Sequence, residues 1–297
     1  MKRDAFSGYH PVVNMLFFVS VIAFGMFFMH PVLQAIALVS AVVYSQMLKG
    51  KRALKFNLIY MLPLLLITAV INPAFNHAGV TILFYLKSGN PVTLESILYG
   101  VATAVMFVTV IIWFSCYNAV MTSDKFIYLF GRAIPALSLI FSMVLRFVPR
   151  YKSQIRRISH AQRSIGRDVT QGSPYRRAKH GLRIVSIMTT WALENAIETA
   201  DSMRSRGYGL PKRTSFSLYR FDNRDRLALG ILAGLLLVIL AGAALGENTI
   251  RYFPSIRLDP YSSFSAIVYV AYFALCLMPV GIQILEDIKW RSIASRM

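Results

Sequence analysis

Arginine is the residue type with the most chemistry to offer in this chain, and it is concentrated in one place. Between Arg146 and Arg226 stand 18 Lys and Arg against 6 Asp and Glu, supplying +12 of a net +19. A guanidinium offers fixed charge and several N–H donors rather than a reactive atom. Reactive constellations are missing elsewhere in the sequence. There is no G-x-x-x-x-G-K-[ST] loop to cradle a nucleotide, and no H-E-x-x-H or paired-cysteine spacing for a metal. His10, His30, His77, His160 and His180 are scattered, and Cys116 and Cys276 each lie inside an apolar run. The expectation is a chain that is not an enzyme and binds no cofactor or metal of its own.

The basic segment has helical order. From Val148 the apolar residues recur as Val148, Tyr151, Ile155, Ile158 and Ile165, steps that place them on one helix face. Arg150, Lys152, Arg156, Arg157 and Arg163 cover the other faces, and this amphipathic helix ends near Gly166. Gly172-Ser173-Pro174 breaks the chain, and a second helix is expected from about Tyr175 to Met203. Its apolar positions are Ile184, Ile187, Met188 and Trp191; Glu194, Glu198 and Asp201 share a face. Beside them, Ala192, Ala196 and Ala200 form a small-residue row of the kind that lets two helix backbones approach closely. The run Met203-Arg204-Ser205-Arg206-Gly207-Tyr208-Gly209 closes this helix, with glycines suited to a C-terminal cap and arginines to the negative end of the dipole.

Helices this basic must be positioned by the rest of the chain, which is strongly apolar. Of its 297 residues 56% are hydrophobic and 15% charged, with mean hydropathy +0.54, against about 25% charged residues in an ordinary soluble domain. Six stretches lack any Asp, Glu, Lys or Arg: Val12–Met29, Pro31–Leu48, Phe56–Asn72, Ser96–Met121, Leu227–Gly246 and Pro260–Leu285. Each is long enough for a helix to cross a ~30 Å hydrocarbon core. They are continuous rather than alternating, which excludes barrel strands. The first follows Lys2 and Arg3 but is too long for a signal-peptide core and is read as a retained span.

The fold class is therefore an all-α membrane protein of about six transmembrane helices with long cytoplasmic amphipathic helices. With both termini cytoplasmic, the inner segments carry 29 Lys and Arg and the outer loops only Lys87, Arg251 and Arg257, as the positive-inside rule requires. Ala133–Leu145, short and containing Pro135, is expected as a membrane-embedded or interfacial helix leading into the basic part. Val80–Leu86 is too short to cross. The divisions are 1–121 and 227–297 for the spans and 122–226 for the basic module.

Three readings follow. A basic segment beside spans attracts anionic lipid, so the chain could be a membrane-anchored protein binding lipid. A stand-alone carrier is disfavoured because no span holds an Asp, Glu, Lys or Arg to mark a pathway. Two long helices, each with its own stripe and a glycine turn, favour a module that docks into partner proteins. Nucleic acid is a poor partner, since the basic helix lacks interleaved aromatics.

Four motifs decide among these. Met121-Thr122-Ser123, Leu145-Arg146-Phe147-Val148-Pro149, Ala161-Gln162-Arg163 and Ser202-Met203-Arg204-Ser205-Arg206-Gly207-Tyr208-Gly209 occur in the order seen in the transmembrane (T) component of energy-coupling-factor transporters, which the chain resembles over about 121–226. The family pattern reads LRF-hydrophobic-P, then AQxARG, then AMxxRGYG. The resemblance implies a non-enzymatic scaffold of an ATP-driven importer of a vitamin or metal ion in the cell membrane. Its partners would be two ABC-type ATPases, which bind and hydrolyse the ATP, a small substrate-capturing membrane subunit, and lipid. It further implies that a short arginine motif ends each coupling helix and contacts an ATPase. The second motif is Ser205-Arg206-Gly207, preceded by Arg204, with Arg206 as the contact. The first departs from the pattern: Ser164-Ile165-Gly166 stands where Ala-Arg-Gly is expected, leaving Arg163 or Arg167 to substitute. Arg146, Pro149 and the alanine row are the expected helix-packing positions.

Overall fold

The computed structural model describes residues 4–85, 90–133, 135–208, 210, 219–247, 249–258 and 262–294. Lys2, Arg3, Lys87 and Gly209 lie outside the described residues. The chain folds as two compact units, 1–125 with 219–297 and 126–218.

The first unit is a helical bundle. Its helices are α1 (Pro11–Phe27), α2 (Pro31–Lys49), α3 (Lys51–Phe75), α4 (Leu94–Val120), α8 (Asn223–Ala244) and α9 (Ser263–Ala294). Five of these are long and apolar enough to span a membrane; α1, with 17 residues, is the shorter apolar helix. This is the all-α membrane fold expected from the apolar runs. α1 and α2 both start on a proline, whose fixed φ suits the first helical position and whose missing N–H would be unpaired there anyway.

In α3 a five-residue π turn, Asn57–Met61, precedes Pro63 within an unbroken helix. Pro63 has no N–H to give Ile59 and its ring crowds that carbonyl, so the helix widens locally. α4 packs against α1, α2 and α3, and α9 against α2 and α8. The α3–α4 approach needs Gly100, because a Cβ there would lie 2.7 Å from the Ala69 carbonyl oxygen.

An aromatic cluster fills the bundle. Trp113 is fully buried, with Phe17 at 5.8 Å and Phe18 at 6.3 Å between ring centroids, and Phe6 lies 5.1 Å from Phe17. Cys116 and Cys276 are buried free thiols. At the α1 entrance Lys125 is buried, its Nζ donating to the Ser7 carbonyl at 2.6 Å. With its amide turned to satisfy both neighbours, Asn14 accepts from the same Nζ at 2.7 Å and donates to the Phe6 carbonyl at 3.0 Å. Burial pushes the Lys125 ammonium down from the ordinary lysine value, and the Asp4 carboxylate partly restores it.

At the opposite end of the bundle the connections are short antiparallel pairs. β1 (Ile82–Tyr85), within the stretch too short to cross, pairs with β2 (Pro91–Thr93), and β3 (Ile250–Arg251) pairs with β4 (Arg257–Leu258). His77 stands there too, its Nδ1 3.1 Å from the Pro91 carbonyl oxygen.

The second unit holds two long helices, α6 (Pro135–Ser164) and α7 (Pro174–Ser205), entered through α5 (Ser123–Ala133). The apolar stretch before Arg146 and the basic amphipathic segment, expected as separate pieces, form one 30-residue helix. Pro149 lies inside it without ending it.

Candidate functional site

The site is the α6–α7 pair. Its two helices pack against each other, and side chains show that they run antiparallel. Tyr151 of α6 meets Trp191 of α7 edge to face at 5.4 Å, and Arg150 lies over the same indole at 5.6 Å. On one side of that contact a cleft of about 440 Å³ opens between Leu139, Arg146 and Arg150 of α6 and Asn195, Glu198 and Arg206 of α7. On the other side Tyr151 and Ile155 share an apolar cavity with Ile184 and Met188. The buried seam is made by Ile158, Ile184 and Asn195.

This seam corrects one expectation. Ala196 and Ala200 are exposed and so do not carry the α6–α7 contact, whereas half-buried Ala192 lines the apolar cavity with Tyr151 and Ile155. Aromatic and branched side chains at Tyr151, Ile158, Ile184 and Trp191 hold the helices further apart than alanines would. Of the predicted α6 stripe, Val148, Ile155 and Ile165 remain exposed, as do Glu194, Glu198 and Asp201. Arg146 is exposed, its guanidinium 5.6 Å from the Phe147 ring, and Pro149 is exposed. Neither sits in the buried seam.

The two helix ends are built alike. In α7 the amide of Gly207, at φ 76°, donates to the Arg204 carbonyl at 2.9 Å. The next amide, Tyr208, donates to the Met203 carbonyl at 2.9 Å. In α6 the amide of Gly166, at φ 75°, donates to the Arg163 carbonyl at 3.0 Å, and Arg167 to the Gln162 carbonyl at 2.9 Å. Both are glycine-closed turns in which a left-handed residue lets amides reach back to orphan carbonyls. Ser205 Oγ donates to the Ser202 carbonyl at 2.9 Å, and Ser164 Oγ to the His160 carbonyl at 3.2 Å.

The side chains on these turns differ. Arg204 and Arg206 are exposed, with Arg206 at the cap position itself, and Arg206 also lines the cleft with Arg146. In the first turn the cap position holds exposed Ile165, and Arg163 Nε lies 3.2 Å from Asp168 Oδ2. Hydrogen bonds from the Thr170 backbone and side chain, then the Arg163 charge, hold the Asp168 carboxyl below the usual carboxylate range. Arg163 is thus engaged within its own turn, whereas Arg206 has no carboxylate within ion-pair distance among the described residues. Sequence reasoning missed Asp168. Its signal was an acidic residue two places beyond a capping glycine that follows an arginine.

Chemically the arrangement presents guanidiniums at fixed positions for acidic side chains, since bidentate pairing with carboxylate is the strongest contact they make. No cluster of three or more His, Cys, Asp or Glu capable of holding a metal occurs among the described residues.

A bundle of apolar helices joined to a pair of long basic helices with glycine-closed ends defines an all-α membrane protein. The chain belongs to the CbiQ family, described as cobalt transport protein, whose model matches residues 7–216. It is 27% identical over 186 residues to the energy-coupling factor transporter transmembrane protein EcfT of Leuconostoc gelidum subsp. gasicomitatum, covering 59% of this chain and 69% of that one. It is 34% identical over 114 residues to EcfT of Lactobacillus helveticus and 29% over 112 residues to EcfT of Staphylococcus aureus. Those matches cover 37% of this chain and 41% and 42% of the relatives. These matches bear out the resemblance to the transmembrane component of energy-coupling-factor transporters.

Proposed function

We propose that this chain is the scaffold and transducer of an ATP-driven importer, with α6 and α7 as coupling helices. The observation that carries the reading is Arg206: an exposed guanidinium at the cap of a 32-residue helix, on a turn closed by Gly207. A helix end of this kind enters the groove of a partner and meets its acidic residues bidentately. Arg146 and Arg150, in the cleft that Arg206 also lines, extend the positive surface.

The antiparallel pairing supports two separate contacts. Ser164 and Ser205 each lie about 20 Å of helix beyond the Tyr151–Trp191 contact, in opposite senses. Two ABC-type ATPases, each taking one end, fit that spacing. They bind and hydrolyse the ATP, and their closure moves the coupling helices. The apolar bundle anchors the pair in the cell membrane with both termini cytoplasmic. It holds a small membrane subunit that captures the vitamin or metal ion, so the substrate is selected outside this chain.

The test is a gentle-detergent pull-down of the tagged chain from its native membrane at moderate and high salt. Two ABC ATPases and a small hydrophobic protein retained at both salts are expected, because a docked helix with an apolar stripe resists the screening that dissolves surface charge contacts. Recovery of the chain with lipid alone overturns the coupling role.

A further inference from the structure

We propose that the N-terminal segment Asp4–His10 clamps together the two chain crossings between the bundle and the second unit, so that coupling-helix motion reaches the bundle through both at once; this rests on the coupling role of α6 and α7. The crossings follow Lys125 and precede Tyr219. The whole second unit separates them in sequence, yet residues beside both bond to one tetrapeptide, Ser7–His10.

Lys125 holds the first crossing, its buried Nζ donating to the Ser7 carbonyl at 2.6 Å. The start of α8 holds the second. Arg224 Nη2 donates to the Gly8 carbonyl at 3.1 Å, and its guanidinium lies 5.1 Å from the Tyr9 ring centroid. Asp225, 2% exposed, accepts the His10 amide on Oδ1 and the Asp222 amide on Oδ2, each at 3.0 Å. Phe221 lays its ring 4.6 Å from the His10 imidazole, and the Thr122 side chain hydrogen-bonds Tyr219. Consecutive carbonyls, Ser7 and Gly8, thus each take a cation from a different crossing.

The segment can transmit a displacement because it is itself fixed to three helices. Phe6–Gly8 form a 3-10 turn. Asp4 Oδ2 accepts the Ser7 amide and the Tyr44 hydroxyl of α2, each at 3.0 Å. The Ala5 amide donates to Gln283 Oε1 of α9 at 2.6 Å, and His10 is the N-cap of α1. A free linker absorbs displacement by rotating about φ and ψ; one bonded on both sides through its backbone cannot. Burying an ion is costly unless it is bonded. Lys125 and Asp225 both find that bonding on the same tetrapeptide, where charge-assisted hydrogen bonds fix position.

Residue-resolved hydrogen exchange on the full chain in nanodiscs tests the clamp and needs no partner. Arg224→Ala, an exposed site beside the second crossing, is expected to raise exchange of amides 125–127, beside the first, about fivefold, on the order of one hydrogen bond. Amides 108–112, in the middle of α4, should not change. Lys125→Met is expected to act in the reverse direction, on the His10 and Asp222 amides, by more than it moves amides 108–112. The second arm is transport by the chain reconstituted in liposomes with its co-purified partners. Uptake per ATP hydrolysed should fall by about the same factor in Arg224→Ala, a ratio that simple loss of folded protein does not move. Exchange that rises only on the substituted side in both variants overturns the clamp, as does an unchanged ratio. A wild type that recovers no ATPase overturns the coupling role instead, and the exchange arm alone then decides the clamp.

Discussion

Ile165 and Arg206 occupy the same position in two matching turns. Each stands one residue before a glycine at φ near 75°, and each is followed by an amide bonded five residues back, Arg167 to Gln162 and Tyr208 to Met203. One turn therefore presents an apolar side chain where the other presents a guanidinium. Arg163, which could have compensated, is paired with Asp168. The ends of α6 and α7 share a backbone and differ in chemistry, and the proposed ATPase contacts inherit that difference.

Arg206→Glu is expected to reduce ATP-dependent uptake to background while leaving expression, insertion and thermal midpoint unchanged. An exposed substitution outside the core shifts stability by about 0.5 kcal/mol or less, so any loss reports on a partner. Uptake in cells, normalised to membrane-inserted protein, checks this; normal uptake would remove Arg206 from the role proposed.

Arg163→Ala is expected to lower uptake less than Arg206→Ala. Its guanidinium already serves Asp168 within its own turn. The Asp168 carboxyl is held below the usual range, so the pair is kept above that range and lost only as pH falls through the lowered value. Between pH 5 and 8 the ranking of the two variants should not change. A larger defect in Arg163→Ala at any pH in that window contradicts it.

Ala196→Leu is expected to leave the α6–α7 pairing intact, because Ala196 is exposed. Trp191→Ala should loosen it, losing the Tyr151 ring contact, worth about 0.5–1.5 kcal/mol beyond area, and the Arg150 contact over the indole. Hydrogen exchange of the amides from Tyr151 to Ile158 separates the two: protection should fall in Trp191→Ala alone.

Lys125→Ala is expected to destabilise the bundle by about 1–3 kcal/mol for each buried group it strands, namely the Ser7 carbonyl and the Asn14 amide oxygen. A thermal midpoint measured in detergent should drop by several degrees. An unchanged midpoint would show that water satisfies these groups.

Much of this molecule was legible in its residue types. Long runs without charge must become helices in lipid, because nothing else pairs the backbone there, and they did so from Pro11–Phe27 through Ser263–Ala294. Gly166 and Gly207, each three residues beyond an arginine, announced the two helix ends, since few other residues tolerate a left-handed turn. Periodicity could not say which stripe of α7 faces α6. Ala192, Ala196 and Ala200 offered a row as regular as Ile184, Trp191 and Asn195, and tertiary packing chose the bulkier one. Nor could it join the apolar stretch before Arg146 to the basic helix after it, because composition changes there while the backbone does not. Long-range pairing decided the rest: Lys125 reaches Ser7 across more than a hundred residues, and Gln34 is buried in the bundle. Each depends on which segments meet in space, a property that local pattern does not encode.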